Sequence, residues 1–484
     1  MATVAMVFAI GPAPIASATP CGAADANVDP PPRQEIPAPQ PVVQPPTGRR
    51  PTHTNDQAPL PKLGPLISSF LKPTAPGQRY SAPMVPQAGV VPPGPNPPVP
   101  GLPQTPNATQ LQPNAAAVPP QPAPQPAPAP GPPPASIAGA PTSLVDWVTG
   151  PNGPNKTLQR FGISGTDLGI IWDNGDSANR QALMAFGDTF GYCKVRGQEW
   201  RYNVLFRSND HDLNHGIHIA EGMPSNNYSG SPVWANGLSK QVVNSIHKAG
   251  HETGIIPTAA MSLGRTQYMN YMSIRQWGRD GEWTTNYSAI ARSNDNGQNW
   301  GIFPGSMRTA SGDAVPGAGF TPGNENFQMG AFMKGNDGYV YNFGTPSGRG
   351  GAAFLSRVPP SAVPDLTKYQ YWNGDNGGHW VPNNPGAATP IFPGPVGEMS
   401  AQYNSYLKQY LVLYTDGGSN DVVARTAPSP EGPRSPEQPL VSAFSMPGGI
   451  YAPMIHPWSS GRDLYFNLSL WSAYDVMLMH TMLP

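Results

Sequence analysis

One pattern recurs five times in this chain: an apolar segment opening on a polar residue, an aromatic segment behind it, and a third short segment often ending in Arg-Ser or Arg-Thr. The first segments are Thr166–Ile171, Pro257–Ser262, Phe327–Phe332, Glu398–Tyr403 and Tyr451–His456. Behind them lie Ala182–Asp188, Tyr268–Ile274, Tyr339–Thr345, Tyr410–Asp416 and Leu464–Ser469. The third set is Arg201–Arg207, Ser288–Ser293, Ala352–Arg357, Asp421–Thr426 and Asp475–His480. Short runs of β-branched and aromatic residues separated by turn-forming residues read as strands of small antiparallel sheets. Repetition of one such unit five times predicts an all-β chain folded as a five-bladed β-propeller.

Turn chemistry points the same way. Ser293-Asn-Asp-Asn-Gly-Gln-Asn-Trp300 follows the third strand of the second repeat and has the Ser, Asp, Gly and Trp of an Asp-box. Its Asp accepts backbone N–H groups, its Gly takes a positive φ and its Trp returns to the sheet. Asn373-Gly-Asp-Asn-Gly-Gly-His-Trp380 repeats it, with Asn for Ser, and is expected at the equivalent place of the third repeat. The repeats exceed the ~40–45 residues of a compact blade. Long connections such as Asn209 to Gly254 are therefore expected to shape a binding face.

The N-terminal part is of another kind. Val4–Ile10 is a short apolar core followed by the small-residue pattern Ala16-Ser-Ala18, which predicts a secretory signal over residues 1–18. Residues 19–142 are Pro- and Ala-rich, with runs such as Pro119–Pro130, and lack the apolar side chains that offset the entropy of ordering a chain. They are expected to form a disordered, polyproline-like spacer before a folded domain at 143–484. No later segment approaches the ~18 apolar residues of a membrane span. A secreted or envelope-associated protein follows. Two cysteines, Cys21 and Cys193, exclude a disulfide framework, and Cys193 is expected to be a packed or partly buried thiol, with pairing to Cys21 as the alternative. A net charge of −1 without a basic stripe argues against nucleic acid as partner. The abundance of Trp, Tyr, Asn and Gln instead suits neutral sugars, which stack on aromatic faces and present hydroxyls to amides.

In a propeller the first residues of the inner strands converge at one end of the central funnel, which singles out Asp167, Glu325 and Glu398. Asp188, in Phe186-Gly-Asp-Thr-Phe-Gly191, ends the neighbouring strand and leans toward the same end. Carboxyls gathered in an aromatic-walled funnel are what glycoside hydrolysis requires: one holds a proton for the leaving oxygen, another stays ionised to attack carbon or activate water. Asp167, Asp188 and Glu398 are the catalytic candidates, and Glu325, Gln328, Tyr403, Tyr451 and Trp471 the candidate sugar contacts. His211, His215 and His218 sit in a loop sequence rather than at the spacing of a zinc site, and no metal or other cofactor is implied. Phosphate loops, dinucleotide fingerprints and nucleophile elbows have no supporting context.

Three stretches carry a family resemblance: Phe161–Trp172, Phe186–Gly191 and the closing Trp471–Met479. Together they resemble a secreted actinobacterial family, formerly a domain of unknown function, whose members are endo-D-arabinanases on five-bladed propellers. The resemblance spans about Ser143 to the C-terminus and implies endo-acting cleavage of α-D-arabinofuranosyl linkages in cell-wall arabinan. Gly165-Thr-Asp167 and Gly187-Asp-Thr-Phe-Gly191 carry Asp167 and Asp188 over as active-site carboxylates. Two other readings stand beside it: a non-catalytic wall-binding propeller, and a hydrolase of another glycan. A sialidase-like enzyme is disfavoured by the lack of an arginine triad at strand starts.

Overall fold

The computed structural model describes residues 132–278 and 281–484. The expected signal peptide, Cys21 and nearly all of the spacer lie outside the described residues. What is described is all-β: apart from the short helix Thr157–Phe161 and a few 3₁₀ turns, its regular structure is strand.

Antiparallel sheets follow one another along the chain. The second is Gly254–Leu263, Thr266–Trp277, Trp283–Ser293 and Gly301–Thr309, paired in that order. The third has five strands, Met329–Lys334, Val340–Thr345, Phe354–Val358, Gln370–Asn373 and His379–Pro382. The fourth has four, Val396–Asn404, Gln409–Asp416, Val422–Ala427 and Gln438–Val441. In the fifth, Ile450–Ile455, Asp463–Leu470 and Asp475–Met482 are completed on the outside by Thr142–Trp147, with Thr142 opposite Thr481. The two ends of the described chain therefore share one sheet.

The first sheet departs from this regularity. It consists of two three-stranded pieces: Gly165–Thr166, Thr189–Phe190 and Trp200–Arg201, and then Ile170–Asp173, Ala182–Phe186 and Val204–Ser208. All three of its strands break at one level.

Inner strands pack side by side. Ile170–Asp173 contacts Gly254–Leu263, which contacts Met329–Lys334, then Val396–Asn404, then Ile450–Ile455, which returns to Ile170–Asp173. Between them lies a narrow space of about 330 Å³ lined by residues such as Ala260, Ala331, Ser400 and Ile455. Between sheets the core is aromatic and aliphatic; Phe206, for example, packs 4.7 Å from Phe161 and 5.1 Å from Phe186, ring centre to ring centre.

Several expectations are corrected. The third repeat starts later than predicted, at Met329, because Asn324–Phe327 winds into a 3₁₀ turn. The Ser293–Trp300 turn forms the expected box: Ser293 Oγ donates to Asp295 at 2.7 Å, Asp295 accepts Asn299 N–H at 2.9 Å, and Trp300 Nε1 donates to the Gly297 carbonyl at 3.0 Å. Asn373–Trp380, however, joins the fourth and fifth strands of its sheet rather than the third and fourth, since this sheet carries an extra strand. The long connection after Asn209 packs on the first sheet. Ile217, Ile219, Val242 and Val243 are buried in the core, and Asn203 holds Val242 and Val243 N–H groups at 3.1 and 2.9 Å. The spacer ends before residue 142: Ile137 is fully buried, and its N–H and that of Ala135 donate to Gln438 and Gln409 of the fourth sheet. Cys193 is disulfide-bonded, not a free thiol.

Candidate active site

The breaks in the first sheet hold the two aspartates. Between Thr166 and Ile170 the backbone leaves the strand, with Leu168 at φ 70° and Gly169 at φ 69°. The Asp167 carbonyl accepts N–H bonds from Gly169 at 3.1 Å and from Gly187 on the adjacent strand at 3.2 Å. Gly187 is required by contact: a Cβ there would lie 2.5 Å from Asp167 Oδ1. Asp188 follows directly, in the break of the second strand, and accepts a hydrogen bond from Trp200 Nε1 at 3.0 Å.

Three other inner strands are irregular nearby. Register shifts fall between Pro257 and Ala259, between Val396 and Met399, and between Tyr451 and Met454. Bulges of this kind re-aim side chains out of the pleat. Here they deliver Thr258, Glu398 and Tyr451 to the same pocket as Asp167 and Asp188. The space there, counted with the solvent at its mouth, is about 840 Å³, and residues from the first to the fifth of these sheets line it. Trp277 and Trp283, opposite each other in the second sheet with rings 6.0 Å apart, form one wall. Trp471, 6.2 Å from Tyr451 and 5.5 Å from Tyr474, forms another. The indole N–H groups of Trp283 and Trp471 are buried and find no acceptor among the described residues.

Electrostatics separate the carboxyls. Burial pushes the Asp167 carboxyl up to about 7; the Tyr451 hydroxyl, donating to Oδ2 at 3.0 Å, and the Arg349 guanidinium pull it down, and Glu398 pushes it up. Its Oδ1 is buried with no hydrogen-bond partner among the described residues. Asp188 is buried, with no cation beside it among the described residues; burial, reinforced by repulsion from Asp167, holds its carboxyl well above the usual range. Glu398 sits otherwise, gripped by Arg349 through Nε to Oε2 at 2.9 Å and Nη2 to Oε1 at 2.8 Å. A lifted carboxyl does not by itself mark a site: Asp475 is also raised by burial, yet it bonds Thr149 Oγ1 at 2.9 Å outside the pocket and braces the outer strand.

Of the eight candidates, Asp167, Asp188, Glu398, Tyr451 and Trp471 line this pocket. Three do not. Glu325 folds back on its own turn and accepts the Gly323 N–H at 2.8 Å. Gln328 is a buried strut, bonded to Thr285 Oγ1 and to the carbonyls of Arg308 and Asn324. Tyr403 lies farther along its strand, its ring 5.2 Å from that of Tyr410. Sequence reasoning missed Arg349, Trp277 and Trp283. A charged residue among glycines, Gly348-Arg-Gly-Gly351, was the available signal for the first, and two tryptophans flanking a tight turn for the others. His215 pairs with Asp212 and His211 stacks on Trp458; among the described residues no group of side chains has the makings of a metal site.

Comparison with known proteins gives relatives of uneven closeness. A protein of Aspergillus versicolor named "Notoamide biosynthesis cluster protein J'" is 30% identical over 329 residues, covering 65% of this chain and 83% of the relative. A counterpart from Aspergillus sp. (strain MF297-2), named "Notoamide biosynthesis cluster protein J", is 28% identical over 330 residues, with 65% and 82% covered. Among solved structures, a putative hydrolase from Bacteroides ovatus aligns at TM-score 0.44 and 13% identity over 68% of this chain and 88% of its own. A Bacillus subtilis arabinanase aligns at TM-score 0.37 and 11% identity, over 66% and 96%. Residues 152–480, which include every lining residue of the pocket, match a single family model, and the chain belongs to that family, DUF4185, a domain of unknown function.

Proposed function

We propose that this chain is a glycoside hydrolase on a five-bladed β-propeller, cleaving internal α-D-arabinofuranosyl linkages of cell-wall arabinan. The observation that carries the reading is the Asp167–Asp188 pair: two carboxyls from adjacent strands, both lifted by burial, in one tryptophan-walled pocket. Such a pair loses its protons in two steps that belong to the pair. Asp167 ionises first, because it has a hydroxyl donor and a nearby guanidinium. Asp188 keeps the proton and delivers it to the leaving glycosidic oxygen, while ionised Asp167 attacks the anomeric carbon or takes a proton from the attacking water.

The walls suit a neutral sugar. The Trp283 and Trp471 faces offer stacking surfaces, and their unpartnered N–H groups offer donors to ring hydroxyls. Arg349, the cation lining the pocket among the described residues, is already taken by Glu398, so an acidic sugar would meet carboxyls without a free counter-charge. Secretion to the envelope, with the Pro-rich segment as spacer, places such an enzyme beside its polymer. A second reading is favoured by the names of the Aspergillus relatives and by the apolar share of the lining, including Ile256, Met272 and Met329: acid–base chemistry on a small molecule.

The test is incubation of the full chain with cell-wall arabinan, beside Asp167→Asn and Asp188→Asn, with chromatography of the products. Oligosaccharides released by the wild type and by neither variant support the reading. Arabinose alone would exclude the endo mode. Retention on arabinan without cleavage would favour a binding module, and neither retention nor cleavage the small-molecule reading.

A further inference from the structure

The interaction of Arg349 with Glu398 reaches beyond the pair itself. Both Glu398 oxygens accept from the guanidinium, and the two side chains are only 13% and 12% exposed. The same guanidinium carbon lies 4.7 Å from the centre of the Tyr451 ring and 5.7 Å from that of Trp283. Tyr451 in turn donates its hydroxyl to Asp167. Side chains from the first to the fifth sheets are thus linked in one set of contacts.

The backbone of Arg349 is seated as closely as its side chain. Its N–H donates to the Gly281 carbonyl at 3.1 Å. A Cβ on Gly417 would lie 2.1 Å from the Arg349 carbonyl oxygen, and one on Gly281 would lie 2.9 Å from its Cδ. Glycine at these places lets the loops of the second and fourth sheets close around the arginine. Such seating suits a group whose position matters, since a planar guanidinium fixes a carboxylate by two parallel bonds that a lysine cannot reproduce.

We infer that Arg349 is a positioning residue: it fixes Glu398 as a charge facing Asp167 and steadies Tyr451 against Asp167, leaving proton delivery to Asp188. Both oxygens of Glu398 are engaged, so neither is presented to a leaving group. The inference rests on the hydrolase reading for its kinetic consequence, but its geometric content stands apart from it.

The experiment uses the full chain and Arg349→Met, Arg349→Lys and Glu398→Gln, with cell-wall arabinan as substrate. Carbon-13 NMR of labelled aspartate carboxyls follows Asp167, assigned by its loss in Asp167→Asn, and near-ultraviolet circular dichroism checks the fold. Arg349→Met is expected to lower kcat about 100-fold with KM nearly unchanged, the scale of a misplaced reacting group. Arg349→Lys should recover part of that loss. The Asp167 titration should move to higher pH in Arg349→Met, where a cation is lost, and to lower pH in Glu398→Gln, where an anion is lost. Glu398→Gln should keep the basic limb of the pH–rate profile, because the proton donor is elsewhere. An Asp167 titration unchanged in a folded Arg349→Met would overturn the inference even if arabinan is not the substrate. Loss of the basic limb in Glu398→Gln would do so too, by making Glu398 the donor. If the wild type leaves arabinan intact while the titration shifts as expected, the hydrolase reading falls and the positioning role stands.

Discussion

Asp167 works against the fold that holds it. Its carboxyl is lifted from 3.8 to about 7, so between these values the folded chain keeps a proton that the unfolded chain has released. Stability from this group is therefore present below about 4 and is lost as pH rises toward 7. Asp167→Asn removes the titration, and the variant is expected to be more stable than the wild type at pH 7.5 by on the order of 2 kcal/mol, discounted for the solvent that reaches the half-buried residue through the pocket. Urea denaturation at pH 4 and pH 7.5 measures it; an equal difference at both pH values would contradict the assignment. Tyr451→Phe probes the same carboxyl from the other side. Losing a donor to the anion raises the Asp167 pKa, so the acidic limb of the pH–rate profile should move up by roughly one unit, the worth of one charged hydrogen bond. At this scale the sequence was a fair guide: Asp167 and Asp188 stood beside glycines in short motifs. Glu325 did too, but its carboxylate is consumed by its own turn.

At the scale of elements, the strands were legible and their interruptions were not. Continuous apolar and aromatic runs located the second strands within a few residues, because a strand buried on both faces is written locally as an unbroken apolar segment. Ala182–Phe186 and Gln409–Asp416 are examples. The breaks that aim the site, at Asp167–Gly169, Thr258, Glu398 and Ala452, each lie at or beside a glycine or a proline. Those residues are common enough in turns that they did not single the breaks out. The break between the first two strands can be tested directly. Gly187→Ala puts a Cβ 2.5 Å from Asp167 Oδ1, so the carboxyl must move. Hydrolysis should fall by at least tenfold while the melting temperature drops by only a few degrees, since the sheet on either side stays intact. A variant with normal kcat would mean that the Asp167 position is not critical.

For the whole molecule the decisive feature is the outer strand of the fifth sheet. Thr142–Trp147 comes from one end of the described chain and pairs with Asp475–Met482 at the other, while Ile137 anchors the preceding residues on the fourth sheet. A chain starting at residue 132 keeps that strand and is the reference against which its loss is measured. One starting at 148 loses that strand and its buried partners and should melt more than about 5 °C lower or fail to fold. Calorimetry of the two decides it; equal melting temperatures would show that the sheet does not need its fourth strand. The sequence by itself determined the all-β class and the turn chemistry of the Asp-box, because each depends on residues within a few positions of one another. It also isolated the two aspartates by their local motifs. Only the tertiary structure decided what surrounds them: Tyr451, 284 positions from Asp167, donates to it, and Arg349 binds a carboxylate 49 positions away. Convergence of that kind depends on how sheets pack around a common axis, and no local pattern of residues encodes the distance between strands that meet only there.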